Sequence, residues 1–171
     1  IVYYSVAPHS NFIQLKQAQL AIKELSKRYR NIFVMGFSAG GHLAGLVATE
    51  QEKYNIKGAI LCYPVISFLN HVHLGTRNNF LANGNDNEEN RIKYSIDKRI
   101  NKDSVPTFVW ATKTDQSVPY ENTMMLVEAL KENQIVYKYH IFPKGPHGMA
   151  LADESAMKDG DTSYVNKEVA T

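Results

Sequence analysis

A single cysteine, Cys62, serves all 171 residues. An internal disulfide is therefore excluded, and so is a zinc site built on paired thiolates. Cys62 sits in the apolar run Ala59-Ile60-Leu61-Cys62-Tyr63, where a buried, inert thiol is the expected state rather than a nucleophile. An excess of one charge sign is lacking too. Nineteen basic residues stand against 17 acidic ones, a net charge of +2, so neither nucleic acid nor an anionic membrane is implied as a partner. No apolar run approaches the ~20 residues of a membrane-crossing helix. A phosphate-cradling glycine loop is missing, and Asp86, Glu88 and Glu89 lack the spacing of a calcium loop. His71 and His73 form an H-x-H pair, but no further ligand completes a metal set at a known spacing, so the pair reads as histidines on a wet loop. No metal and no cofactor is expected. No signal peptide is visible within the 171 residues, and a cytoplasmic location is expected. The chain opens inside the strand-like run Ile1-Val2-Tyr3-Tyr4-Ser5-Val6 instead of at a methionine, so an earlier segment of the fold is expected to have preceded it.

What is present is globular. Hydrophobic residues make up 44% and charged residues 21%, and the length suits one domain across residues 1–171. Strand and helix patterns alternate. Residues 1–7 read as a strand, and residues 11–30 as an amphipathic helix with Leu15, Ala18, Ile22, Leu25 and Tyr29 on one face and Ser10 or Asn11 at its cap. A short apolar strand follows over 31–36, a helix over 41–50, and a strand over 56–65 ended by Pro64. Residues 67–104 break the pattern. They are polar and Asn-rich, helical only weakly from Glu89 to Ile100, and read as a lid-like insertion. Order returns with a strand at 107–111, a helix over 120–132 and a strand over 136–142. Such alternation implies βαβ units, a mostly parallel sheet flanked by helices, and a site at the carboxyl ends of the strands.

Three loops satisfy that rule. The first holds Gly36-Phe37-Ser38-Ala39-Gly40-Gly41, a G-x-S-x-G turn between an apolar strand and a helix. Alone it reads as an ordinary glycine-rich turn. Between strand and helix it is the geometry that presents a serine nucleophile, with a helix N-terminus placed to favour developing negative charge. A serine hydroxyl needs a base within reach, and the base needs a carboxylate to fix its tautomer. Asp115 follows the next strand but one, 77 residues beyond Ser38; by itself it reads equally as a turn starter or helix cap. His147 follows the last strand, 32 residues further on, between Gly145, Pro146 and Gly148; by itself it is a solvent-exposed loop histidine. Serine, then acid, then histidine, each at a strand end, is the order that makes the three a constellation. The remaining histidines, His9, His42 and His140, read as structural.

Four segments carry a family resemblance: Tyr3-Tyr4-Ser5-Val6-Ala7-Pro8, Gly36-Phe37-Ser38-Ala39-Gly40-Gly41-His42-Leu43-Ala44, Asp115-Gln116-Ser117-Val118-Pro119 and Ile141-Phe142-Pro143-Lys144-Gly145-Pro146-His147-Gly148. With the strand Leu61-Cys62-Tyr63-Pro64-Val65 they resemble the α/β-hydrolase superfamily, and within it the acetyl esterase and acetylxylan-esterase-like carboxylesterases. The resemblance implies an α/β-hydrolase fold whose early strands are absent here. It implies Ser38 as nucleophile, Asp115 as orienting acid, His147 as general base and the Ala39 backbone N–H as one oxyanion donor. The His-Gly-Gly loop that supplies the second donor in such proteins does not occur ahead of Ser38. The implied activity is hydrolysis of small, chiefly acetyl, esters, with an acetylated sugar as substrate suited to the Asn, His and Arg77 content of residues 67–104. A prolyl-oligopeptidase-type peptidase domain shares the elbow and the D-x-x-V-P loop and is the alternative. A third reading is an inactive hydrolase-like interaction module. The uncovered sheet edge also leaves room for a partner copy in a homo-oligomer.

Overall fold

A computed structural model describes residues 1–6, 12–156 and 161–167. Four strands, β1 (Ile32–Phe37), β2 (Ile56–Cys62), β3 (Thr107–Thr112) and β4 (Tyr137–Phe142), form one sheet in the order β1-β2-β3-β4. Every adjacent pair is parallel. The crossovers contain the helices α1 (Ile13–Ser26), α2 (Ser38–Ala48), α3 (Leu74–Phe80), α4 (Glu88–Lys93) and α5 (Glu121–Glu132), with α1 leading into β1. Each crossover advances one strand in the same direction. Right-handed connections of that kind bring the long helices to one face of the sheet.

The packing shows which face. Ile32, Val34, Ala59, Leu61 and Val109 point into a core shared with Leu15, Ala18 and Ile22 of α1, Leu43 and Leu46 of α2, and Leu126 and Leu130 of α5. Burying a side chain of this size stabilises by roughly 1.5–3 kcal/mol, and Leu46, Val109 and Leu130 are wholly buried. The opposite face carries Trp110 and Phe142, covered near the carboxyl ends of the strands by Met149 and Ala152. Toward the amino ends it is open: Phe33 is 68% and Met35 46% exposed.

Several sequence expectations need correction. The described residues 1–6 are not a strand, despite their β-branched and aromatic composition. No described strand lies beside them, and β propensity without a ladder partner does not make a strand. Instead Ser5 is pinned to α1, where the Ser5 N–H donates to Gln17 Oε1 (2.7 Å) and Gln17 Nε2 donates to Ser5 Oγ (3.0 Å). The first helix starts at Ile13 behind Phe12, whose φ is +60°, and ends at Ser26, leaving Leu25 and Tyr29 exposed. The capping residues Ser10 and Asn11, together with Ala7, Pro8 and His9, lie outside the described residues. The second helix begins at Ser38 itself, three residues earlier than its pattern suggests.

The insertion departs furthest from expectation. Residues 67–104 hold two α-helices, and Phe68, Phe80, Leu81 and Ile96 belong to the main core. Buried polar side chains tie the segment down. Asn122 Oδ1 accepts the N–H groups of Ile66 (2.9 Å) and Ser67 (3.3 Å), while its Nδ2 donates to the His71 carbonyl (2.9 Å). Ser95 Oγ accepts the Phe68 N–H at 2.8 Å. No helix among the described residues is long and apolar enough to cross a membrane.

Candidate active site

The elbow is built by sterics. Strand β1 ends at Phe37 with extended backbone, and Ser38 opens α2 with φ +53°, a left-handed conformation that side chains rarely adopt. The turn closes so tightly that a Cβ at Gly36 would lie 2.8 Å from Ala44 Cβ, and one at Gly41 would lie 2.9 Å from Pro64 Cβ. Glycine is needed at both positions to let strand, helix and the β2 exit meet. The Ser38 carbonyl accepts the Val65 N–H at 3.3 Å, which ties the elbow to that exit. Ala39 is exposed in the first turn of α2, where its N–H has no intrahelical acceptor.

The other two loops converge on the serine. His147 Nε2 lies 2.7 Å from Ser38 Oγ, and His147 Nδ1 lies 2.7 Å from Asp115 Oδ2. Asp115 Oδ1 accepts the N–H groups of Ser117 (2.8 Å) and Val118 (2.9 Å). Burial raises the Asp115 pKa, but the hydrogen bond from His147 and the two backbone amides outweigh it and hold the carboxyl below its ordinary value. An ionised carboxylate at Nδ1 keeps the proton on that nitrogen and leaves Nε2 as the acceptor facing the Ser38 hydroxyl.

Thr112 and Thr114, not singled out in the sequence, hold these loops through Gly145. Gly145 lies between the Asp115 and His147 loops' clasping groups: its carbonyl accepts from Thr112 Oγ1 (2.7 Å) and Thr114 Oγ1 (3.0 Å), and its N–H donates back to Thr114 Oγ1 (2.9 Å). The Tyr63 ring meets the His147 imidazole edge to face with centroids 5.0 Å apart, and its hydroxyl accepts the Ala150 N–H at 2.9 Å. Burial above all pushes the Tyr63 pKa up to about 12, so the phenol stays neutral. The advance signs of Tyr63 were its place at the carboxyl end of a strand and in the segment Leu61-Cys62-Tyr63-Pro64-Val65 that shares in the family resemblance.

The other sequence candidates separate cleanly. Cys62 is buried, and burial pushes its thiol pKa up to about 11, too high for a ready thiolate. His42 is 1% exposed; burial lowers its pKa to about 4, so it is neutral and its Nε2–H donates to the Tyr94 carbonyl at 2.8 Å. His140 stacks on Phe142 at 4.0 Å. Arg77 faces Asp86 at 3.6 Å. His71 and His73 both lie in the loop before α3, but they differ in exposure. His71 is exposed, whereas the half-buried His73 caps α3, its Nδ1 accepting the Thr76 N–H at 3.1 Å. No group of three metal-ligating side chains occurs among the described residues. Beside the elbow, Tyr4, Ala39, Leu43, His73 and Phe80 line a cavity of about 280 Å³.

An all-parallel sheet with helices packed on it and a serine elbow at a strand's carboxyl end defines an α/β-hydrolase. The chain belongs to the prolyl oligopeptidase family, whose sequence pattern matches residues 14–164. It is 31% identical over 137 residues to endo-1,4-beta-xylanase B of Butyrivibrio fibrisolvens, covering 73% of this chain and 21% of that protein. It is 30% identical over 127 residues to acetylxylan esterase of Xylanibacter ruminicola, covering 71% of this chain and 26% of that protein. Among solved structures, the acetyl ester-xyloside bifunctional hydrolase of Caldicellulosiruptor lactoaceticus superposes with a TM-score of 0.81 at 32% identity, over 89% of this chain and 63% of that one. The chain thus spans about a fifth to a quarter of the length of these curated relatives. Its kin are esterase-like hydrolases.

Proposed function

We propose that the chain is a serine carboxylesterase acting on short-chain esters, acetyl esters foremost, with an acetylated sugar as the natural kind of substrate. The observation that carries this reading is the His147 ring spanning Ser38 Oγ and Asp115 Oδ2 at 2.7 Å on either side. Ser38 Oγ attacks the ester carbonyl as its proton passes to His147 Nε2, and ionised Asp115 stabilises the resulting imidazolium. The tetrahedral oxyanion takes a hydrogen bond from the Ala39 N–H; a second donor is not assigned within this chain. Collapse breaks the bond to the alcohol oxygen, which leaves with the proton from His147. A water then gives its proton to His147 and attacks the acyl-enzyme, releasing the acid and restoring Ser38. Residues 67–104 form the lid-like wall of the cavity beside the elbow. The acetylxylan esterase and acetyl ester-xyloside hydrolase relatives support the acyl group and the sugar.

Labelling with a fluorophosphonate tests the reading. Wild type is expected to label at Ser38, and Ser38→Ala and His147→Ala to stay unlabelled; a folded wild type that does not label would leave an inactive interaction module. The prolyl oligopeptidase match supports a second reading, a peptidase. A chromogenic dipeptide amide separates the two: cleavage at rates near those of an aryl acetate favours the peptidase, and absence of cleavage favours the esterase.

A further inference from the structure

The insertion places one side chain beside the elbow whose chemistry the proposed reaction does not use. His73 stands at the head of α3 and lines the cavity that also touches Ala39, the neighbour of Ser38. Its ring has two nitrogens, and the fold has already spent one. Nδ1 accepts the backbone N–H of Thr76 at 3.1 Å and lies 2.8 Å from Thr76 Oγ1. A backbone N–H can only donate, so Nδ1 carries no proton and the neutral ring bears its proton on Nε2. Burial first, and then the nearby His147, hold the His73 pKa below the ordinary histidine value, which keeps the ring neutral. Nε2–H has no partner among the described residues. The rest of the wall is largely apolar surface, from Tyr4, Leu43 and Phe80, with Ser5, Gln14 and Asn79 among its further polar side chains. A fixed donor in such a wall selects for an oxygen.

We propose that His73 is a specificity-determining residue: its Nε2–H donates to a sugar hydroxyl on the alcohol portion of an acetylated glycoside held between α3 and Ala39. This rests on the esterase reading above. The same ring would make the insertion both a structural cap and a reader of the alcohol, through different nitrogens.

Two substitutions separate those roles. In His73→Asn the Asn oxygen falls near the Nδ1 position and still caps Thr76, while the distal donor is gone. In His73→Gln the amide nitrogen reaches the Nε2 position, while the cap is lost. The readout is kcat/KM for methyl mono-O-acetyl-β-xyloside divided by kcat/KM for para-nitrophenyl acetate, whose leaving group has no hydroxyl to offer. His73→Asn is expected to lower this ratio about three- to tenfold, the worth of one hydrogen bond, with the xyloside loss falling in KM. His73→Gln is expected to hold the ratio within about twofold of wild type on the same scale while lowering the unfolding midpoint. A ratio unchanged in His73→Asn, or equally depressed in both variants, overturns the subsite and leaves the esterase standing. A wild type inert toward both esters and the fluorophosphonate overturns the esterase reading and the subsite with it.

Discussion

Residues 36–41 and residues 67–104 border the same cavity but are held there by opposite means. The elbow is shaped mainly by contacts close in sequence, a left-handed Ser38 and a Gly36 pressed against Ala44, and is closed by Pro64 and Val65 of the β2 exit. The insertion has few local determinants. Its two α-helices span 7 and 6 residues, too short to stand alone. It keeps its place through Phe68, Phe80, Leu81 and Ile96 in the core and through buried polar groups: Asn122 from α5, His42 from α2, and its own Ser95. A site built by backbone sterics is robust in position and intolerant of side chains. One built on buried hydrogen bonds depends on a handful of side-chain polar atoms.

Substitutions on the two sides sharpen that contrast. The largest effect is expected from Asp115→Asn, which leaves the loop in place but removes the charge that fixes the His147 tautomer; ester turnover should fall about 10³–10⁴-fold with little change in the unfolding midpoint. A comparable loss of stability would instead make Asp115 a structural cap, the role its bonds to Ser117 and Val118 also allow. On the insertion side, Asn122→Leu strands the Ile66 and Ser67 amides and the His71 carbonyl, and should cost about 2–4 kcal/mol in denaturant unfolding. If the cost is under about 1 kcal/mol, the insertion is held by its apolar contacts alone.

A pH experiment tests the His42 tether. Its folded pKa of about 4 lies below the ordinary histidine value of 6.5, so the unfolded chain takes up a proton that the folded chain refuses. Stability should therefore fall as pH drops from 6.5 toward 4, by up to about 3 kcal/mol from this group. His42→Gln keeps a donor for the Tyr94 carbonyl but cannot protonate, so its unfolding midpoint should change less between pH 7 and pH 4.5. Equal slopes would mean that other groups set the acid limit. The smallest effect is expected from Ser95→Ala, about 1 kcal/mol for the lost acceptor of the Phe68 N–H. That cost should add to the Asn122→Leu cost only if the two tethers act independently, which a double-mutant cycle measures.

The legible parts of this molecule share a physical character. Strands β1 to β3 were readable because short apolar runs with turn signals at both ends have few alternatives, and α5 because its apolar residues recur at helical spacing. That Ser38, Asp115 and His147 would stand at strand ends followed from the same alternation. Residues 1–6 misled because composition reports fitness for a sheet, and ladder partners decide membership. Helix α3 was missed because Gly75, Asn78 and Asn79 are weak helix formers, and what starts the helix is the His73 side chain returning to Thr76. Thr112 and Thr114, which clasp Gly145, left no trace in the local pattern.

The sequence alone determined what arises between near neighbours: the alternating elements, the sharp serine turn, and the chain order of serine, carboxylate and imidazole, because backbone sterics and apolar periodicity act over a few residues. Only the tertiary structure decided that the His147 ring bridges Ser38 and Asp115 and that the insertion is anchored in the core. Those outcomes rest on hydrogen bonds between residues tens of positions apart, whose distances are set by how the helices pack on the sheet.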